Sequence, residues 1–417
     1  MTASLPGVGW SSDQVLDALE ELRTGDIAWR DGRAFSLAYY AGAEAIQVAE
    51  EAYRRFSGEN ALSTNAFPSL RKIQSDVVAM TGSWLGANHD SAGFMTSGGT
   101  ESILMAVKAA RDRLRSERNI TKPNIVLPTS AHAAFDKACA YFDVESRRVD
   151  VKADWRADVK SMRSQVDQNT VLIVASAPQY PQGVVDDVTG IAALALEADC
   201  NCHVDACMGG VTLAYLERLG EVLPPWNLRV PGVSSISVDL HKFGYTSKGA
   251  SVIMYASKYL RSFQGFVTDK WLGGLYASSG ALGTKSGGSM ASAWAVMHHL
   301  GDDGYLRLTA QAREATLKLA TTISSSKHYV LRAQPETTLL CFGAKDPDAL
   351  NVFAVADELW QRGWYIDRQT PPDSLHCTVN AIHYDKIESF VKDLELATNT
   401  VLENKKIGDL GSYGTIN

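Results

Sequence analysis

Lys242 and Lys248 lie in a polar, glycine-bearing turn between two alternating apolar runs, Ser234 to Leu240 and Ala250 to Tyr255, which read as strands. An amine at the end of a buried strand loses hydration. That disfavours its charged form and frees its lone pair to condense with a carbonyl. Taken singly, a lysine beside a turn is a solvated surface group, so the chemistry depends on what else the chain carries. Thr96-Ser97-Gly98-Gly99-Thr100-Glu101 stands where a loop enters a helix. Its glycines let backbone approach an anion, its hydroxyls donate, and the helix start offers free N–H groups. G-x-G-x-x-G and G-K-[ST] are both absent, so it is neither a dinucleotide fingerprint nor a Walker loop.

His132 opens a helix just after a strand. His203, Asp205 and Cys207 alternate on CHVDAC and share one sheet face. A metal would need three or four converging ligands, and no partner cluster stands elsewhere. Asp205 therefore reads as a buried carboxylate for a ring nitrogen, with Cys202 and Cys207 as core residues. In chain order the set is a hydroxyl-glycine loop, a histidine, an aspartate at a strand end and a lysine further on. These are the needs of pyridoxal 5′-phosphate: a phosphate cup, a ring to stack on the pyridine, a carboxylate for its nitrogen and a Schiff-base lysine.

The elements that must position these residues alternate. A helix from Ser11 or Ser12 to about Gly25, another over Glu44 to Phe56 and a third over Ser69 to Leu85 precede the Thr96 loop. Gly32 to Gly42 has no clear period and reads as loop. A helix from Ser102 to about Arg115 follows, then a strand at Asn124 to Pro128, a helix at His132 to Tyr141, a strand at Val171 to Ala175, a helix at Ile191 to Ala198 and a strand at Cys202 to Ala206. Strands separated by helices imply a largely parallel α/β sheet, with ligands beyond the strands' carboxyl ends. Past Trp271 a Gly/Ser-rich stretch reads as a functional loop. Helices at Ala291 to Leu300 and Asp302 to Ser325 come next. Strands near Tyr329 to Arg332 and Thr337 to Phe342, with a helix from Val352 to Gln361, suit a small α+β domain. The expected division is an N-terminal segment over 1–60, a large domain over 61–305 and a small C-terminal domain over 306–417.

Composition narrows the class. Hydrophobic residues make up 45% and charged residues 21%, which fits a folded chain. The net charge of −7 argues against a nucleic-acid partner bound by phosphate neutralisation. Six cysteines without a disulfide framework suit a reducing cytoplasm. No signal peptide is visible, and no stretch reaches the ~18–20 apolar residues of a membrane helix, so no transmembrane anchor is expected.

Several segments, NAFPSLRKIQSDVVAM, TSGGTESILMAVKAARD, ASAPQYPQGVVDD, HVDACMGG, VSSISVDLHKFGYTSKGASVIMY, GGLYASSGALGTKSGG and the tail SYG, resemble the sphingosine-1-phosphate lyases. These are pyridoxal-phosphate enzymes related to the glutamate-type decarboxylases. The resemblance runs from about Gly32 to Tyr413. It implies fold type I, a mostly parallel seven-stranded sheet with a small C-terminal domain, and a homodimer with shared sites. It also implies retro-aldol cleavage of a phosphorylated long-chain base to a long-chain aldehyde and phosphoethanolamine. By the same resemblance Lys242 is the Schiff-base lysine with His241 beside it, Asp205 the pyridine partner and His132 the stacking ring. Ser97, Gly98 and Thr100 form the phosphate loop, and Gly283 and Thr284 reach the cofactor phosphate from the other subunit. Lys248, Tyr40 and Tyr413 match substrate-phosphate positions, and Tyr40, Lys242 and His132 are the candidates for proton transfer. Ser63, Gln179, Gln182, Ser247 and Lys285 depart from the pattern, which places the changes nearer the substrate than the cofactor. Amino-acid decarboxylation, cleavage of another β-hydroxy amine and a non-catalytic scaffold are the alternatives. The scaffold alternative predicts erosion at 97, 132, 205 and 242, where none is found.

Overall fold

The computed structural model describes residues 4–410. Seven strands form the main sheet: β1 (Ala92–Thr96), β2 (Asn124–Pro128), β3 (Glu145–Val149), β4 (Thr170–Ser176), β5 (Asn201–Asp205), β6 (Ser235–Val238) and β7 (Ser251–Tyr255). Their order across the sheet is β1-β7-β6-β5-β4-β2-β3. All neighbours are parallel except β7, which runs antiparallel to both β1 and β6. β1 is thus parallel to β5 and β6, and the carboxyl ends of these three strands share one edge.

The central strands read as near-continuous apolar runs because both faces are covered; β2, β4 and β5 are buried at every position. The Gly99–Arg118 helix crosses one face with Ile103, Met105, Ala106, Val107, Ala110 and Leu114 buried. Edge strand β3 was not anticipated. Its sequence ESRRV lacks apolar alternation, since it pairs only with β2 and satisfies its charges by ion pairs from Arg147 to Glu145 and Asp167 and from Arg148 to Asp136.

The Gly/Ser-rich stretch carries part of a two-stranded hairpin, β8 (Phe266–Thr268) with β9 (Tyr276–Ser278). The two helices expected after it are joined as Gly288–Ser325, with Gly301 as a non-helical joint at φ 57°, ψ −174°. A second sheet of order β10-β11-β13-β12 follows, built from β10 (Tyr329–Leu331), β11 (Leu339–Ala344), β12 (Asp367–Gln369) and β13 (Ser374–Thr378). A separate apolar core lies beneath it. Phe35 belongs to that core, stacked on His383 with ring centres 4.2 Å apart and tilted against Phe390 at 4.5 Å. An N-terminal strand-like bridge, Ala34 to Tyr365, holds it there. The stretch around Ala34 and Phe35 is therefore stitched into the C-terminal unit, whereas Ala45 and Ala49 pack in the large core, and the same bridge sets the neighbouring Ser36 and Tyr39 against the site.

Candidate active site

The carboxyl-terminal edge of β1, β5 and β6 opens into a cavity of about 410 Å³. Ser97, Gly98, Thr100, His132, Asp205, His241 and Lys242 all line it, so residues separated by up to 145 positions in the chain meet there. Ser97 follows β1 directly, His132 follows β2, Asp205 ends β5, and Lys242 stands in the turn after β6.

The Lys242 ammonium lies 3.0 Å from Asp239 Oδ2. Burial is the largest single effect and acts against that charge, but the surrounding acceptors, Asp239 foremost, together exceed it and hold the lysine above its ordinary pKa of 10.5. The expectation of a lysine neutralised by burial is corrected: it rests as a paired cation. Asp239 is itself buried; desolvation pushes its pKa up, and Lys242 and His241 more than reverse this, keeping it ionised below 3.8. Its Oδ1 is buried without a hydrogen-bond partner. His241 accepts from the Ala250 N–H through Nδ1 at 3.2 Å, and burial keeps its pKa below the ordinary value.

Asp205 Oδ1 accepts from the Cys207 N–H at 3.0 Å and the Ser237 hydroxyl at 3.4 Å, leaving Oδ2 for a ligand in the cavity. His132 Nδ1 accepts from the Ala134 N–H at 3.1 Å, and desolvation lowers its pKa, so the ring is neutral with its proton on Nε2. Glycine is required at position 99, since a Cβ there would come within 2.7 Å of Cys207 Sγ and 2.9 Å of Asp239 Oδ2. Glu101 reaches back from the first turn of its helix. It accepts the Ser97 N–H at 2.6 Å and the Ala281 N–H at 2.8 Å, tying the hydroxyl-glycine loop to the segment that carries Gly283 and Thr284. Those two residues do not line the cavity of their own chain; Thr284 meets Asn60 instead.

His203 takes no part in a metal site. It is fully buried between the Ser235 and Ser237 hydroxyls, at 2.8 and 3.1 Å, with its pKa lowered by burial to about 4. No metal-holding cluster occurs among the described residues. Burial pushes the Cys207 and Cys202 thiols up, as suits core residues.

A second cavity of about 620 Å³ adjoins the first across His241. Ile27, Trp29, Leu37, Tyr39, Ile46 and Ala49 give it an apolar wall that also carries Lys248. Lys248 donates to the Leu37 carbonyl at 2.8 Å and stands 5.0 Å from the centre of the Tyr39 ring. Desolvation, reinforced by the Lys242 charge, lowers its pKa to about 8. Tyr39 rather than its neighbour faces this wall; Tyr40 packs edge-on to Trp29 and lines neither cavity. Tyr413 lies outside the described residues. Ser63 is exposed and lines neither cavity.

The other departures make hydrogen bonds within the fold, and Ser247 also lines the Lys248 cavity. Gln179 and Gln182 satisfy each other in a buried loop, through bonds of 2.9 and 2.8 Å. Ser247 pairs with Ser292 on the Gly288–Ser325 helix at 2.9 Å. Lys285 donates to the Met95 carbonyl of β1 at 2.9 Å. Sequence reasoning missed Asp239, Glu101, Tyr39 and Tyr180. An i, i+3 spacing inside the turn was the available signal for Asp239.

A seven-stranded sheet in this order, with a lysine in the turn after β6, is the architecture of fold type I pyridoxal-phosphate enzymes. The cavity fits that group: a helix start with two glycines for a phosphate, an open carboxylate oxygen, an imidazole wall and a lysine. The chain matches the pyridoxal-dependent decarboxylase conserved domain over residues 11–345. It is 37% identical to sphingosine-1-phosphate lyase 1 of Rattus norvegicus over 98% of its own length and 72% of that protein. With the lyase of Oryza sativa it shares 38% identity, covering 97% of this chain and 76% of the relative. The solved structure of the Burkholderia pseudomallei lyase superposes with a TM-score of 0.91 at 33% identity, covering 97% of this chain and 94% of that one. The chain belongs to the pyridoxal-dependent decarboxylase family, and within it to the sphingosine-1-phosphate lyases. Its cofactor is pyridoxal 5′-phosphate.

Proposed function

We propose that this chain cleaves the C2–C3 bond of sphingosine 1-phosphate or sphinganine 1-phosphate, releasing a long-chain aldehyde and phosphoethanolamine. One observation carries the proposal beyond kinship: a cavity with an apolar wall, bearing the cation Lys248, adjoins the Lys242 cavity across a single histidine. A phosphorylated amine with a hydrocarbon tail needs that combination of a cation and an apolar surface.

In this account Lys242 is the covalent attachment point, Asp205 holds a proton on the ring nitrogen and His132 packs against the ring. Ser97, Gly98 and Thr100 hold the cofactor phosphate. When bound, the cofactor supplies an electron sink for the pair released as the bond breaks. Asp239 pairs with the Lys242 ammonium and would keep Nζ placed to move a proton whenever the lysine is not bonded to the cofactor. His132, neutral with Nε2–H, donates rather than accepts on the cavity side. Tyr413 remains assigned to the substrate phosphate and to acid–base work beside it, and Tyr39 takes the place expected of Tyr40 next to Lys248.

We extend the proposal to a homodimer in which Gly283 and Thr284 serve the second subunit's cofactor. The Ser12–Leu22 helix buries none of its residues, and Val15, Leu16, Leu19 and Leu22 are exposed along it. The hairpin region likewise exposes Trp271, Leu272 and Leu275. Patches of this kind mark association surfaces. Among the described residues no helix is long and apolar enough to cross a membrane. Six free, buried cysteines support a cytoplasmic setting.

Lys248 supplies the test. Lys248→Met should raise KM for the phosphorylated base about 10- to 100-fold, as expected for a lost charged hydrogen bond, and leave KM for the unphosphorylated base unchanged. Because its cation is present below pH about 8 and lost above, the wild-type KM should climb as pH rises through that value. Equal losses on both substrates would remove Lys248 from the phosphate subsite.

A further inference from the structure

Asp367 opens β12 in the C-terminal sheet and is 5% exposed, yet three hydroxyl groups from three parts of the chain converge on it. Ser36 Oγ donates to Oδ2 at 2.5 Å and Tyr365 Oη donates to Oδ1 at 2.8 Å. Tyr180 Oη makes a short hydrogen bond to Oδ2. Each of the three hydroxyls donates its single proton to Asp367. The 3.3 Å approach of Ser36 Oγ to Tyr180 Oη therefore carries no proton. The Tyr180 ring is held in place by His376, whose ring centre is 4.1 Å away. His376 is fully buried, and desolvation keeps it neutral with a pKa of about 4.

The cluster sits in the wall between the two cavities. Tyr180 lines the Lys242 cavity, and Ser36 and Tyr365 line the one that carries Lys248. A phenol whose proton is committed to Asp367 meets a ligand in the Lys242 cavity only as an acceptor. We infer that Asp367 is a positioning residue that fixes Tyr180 as a hydrogen-bond acceptor in the Lys242 cavity, selecting amines that carry a hydroxyl donor there. The inference rests on the proposed cleavage for the identity of that donor, the hydroxyl on C3, next to the bond that breaks. An acceptor at that oxygen orients the C–O bond and admits hydroxyl-bearing amines over their deoxy counterparts, because only the hydroxyl-bearing ligand gains a hydrogen bond there.

The test compares four cofactor-loaded proteins: wild type, Tyr180→Phe, Asp367→Asn and the double variant. Each is assayed for kcat/KM on sphinganine 1-phosphate and for the Ki of the matching phosphorylated amine without the C3 hydroxyl. Either single change should lower kcat/KM about 10- to 100-fold and leave the deoxy Ki within about twofold, and the double variant should be no worse than either single one. Losses that multiply in the double variant, or a deoxy Ki that rises in step with the fall in kcat/KM, would overturn the inference. Should Asp367→Asn fail to fold, Tyr180→Phe decides alone: an unchanged preference for the hydroxyl-bearing amine overturns it. A wild type that turns over no long-chain base defeats the cleavage proposal instead, and the ratio of Ki values for hydroxylated and deoxy amines still decides the role of Tyr180.

Discussion

Replacing Lys242 by alanine should remove the visible absorption band of the cofactor-loaded protein and lower turnover by on the order of 10⁴-fold or more. Among the described residues Lys242 is the one lysine lining the cavity that holds Asp205, His132 and the Ser97 loop. Lys248 lines the neighbouring space and is committed to the Leu37 carbonyl. The variant should still retain pyridoxal 5′-phosphate, because the phosphate cup, Asp205 and His132 are untouched; the retained cofactor should absorb as the free aldehyde. Full absorbance at the wild-type wavelength in Lys242→Ala would move the attachment point to another amine.

The second large effect concerns Asp239. Asp239→Asn removes the partner of a cation whose surroundings are largely desolvated, and breaking such a pair costs about 3–5 kcal/mol. The cofactor-free protein should therefore unfold at clearly lower denaturant concentration. The sign of the pH dependence follows from both partners. Asp239 is depressed below 3.8, so its contribution is present above that value and is lost as pH falls through its folded pKa. Lys242 is raised above 10.5, so its contribution is complete below that value and is lost as pH rises through its folded pKa. The gap between wild type and variant should be flat between about pH 5 and pH 9 and should shrink outside that window. The same substitution frees the Lys242 proton, so cofactor should attach faster at neutral pH. Denaturant midpoints that coincide at pH 7 would show that the pair contributes nothing.

Much of this site was legible in the sequence because its parts are local motifs at strand ends. The Thr96–Glu101 loop, His132, Asp205 and the turn after Val238 each carry their chemistry within a few residues, and a parallel sheet gathers strand ends on one edge. What could not be read is what depends on partners far along the chain. Asp367 meets Ser36 across 331 residues and Tyr180 across 187, so no spacing announces it. The choice between Tyr39 and Tyr40 hangs on the Ala34–Tyr365 bridge, which orients a segment with no period of its own. The charge state of Lys242 was misjudged for a related reason: burial was visible in the apolar run, whereas the direction of the Asp239 side chain was not. Gln179 and Gln182 read as changes near a substrate; they close a loop on each other beside Pro178 and Tyr180, which line the Lys242 cavity. Edge strand β3 escaped because pattern recognition depends on a buried face that a charged edge strand lacks.

The most direct test of the whole account is the mass balance of products from sphinganine 1-phosphate incubated with the cofactor-loaded protein. The account predicts hexadecanal and phosphoethanolamine in equal amounts, with both absent from Lys242→Ala. An intact long-chain base, together with carbon dioxide released from an amino acid by the same preparation, would contradict it and make the chain a decarboxylase.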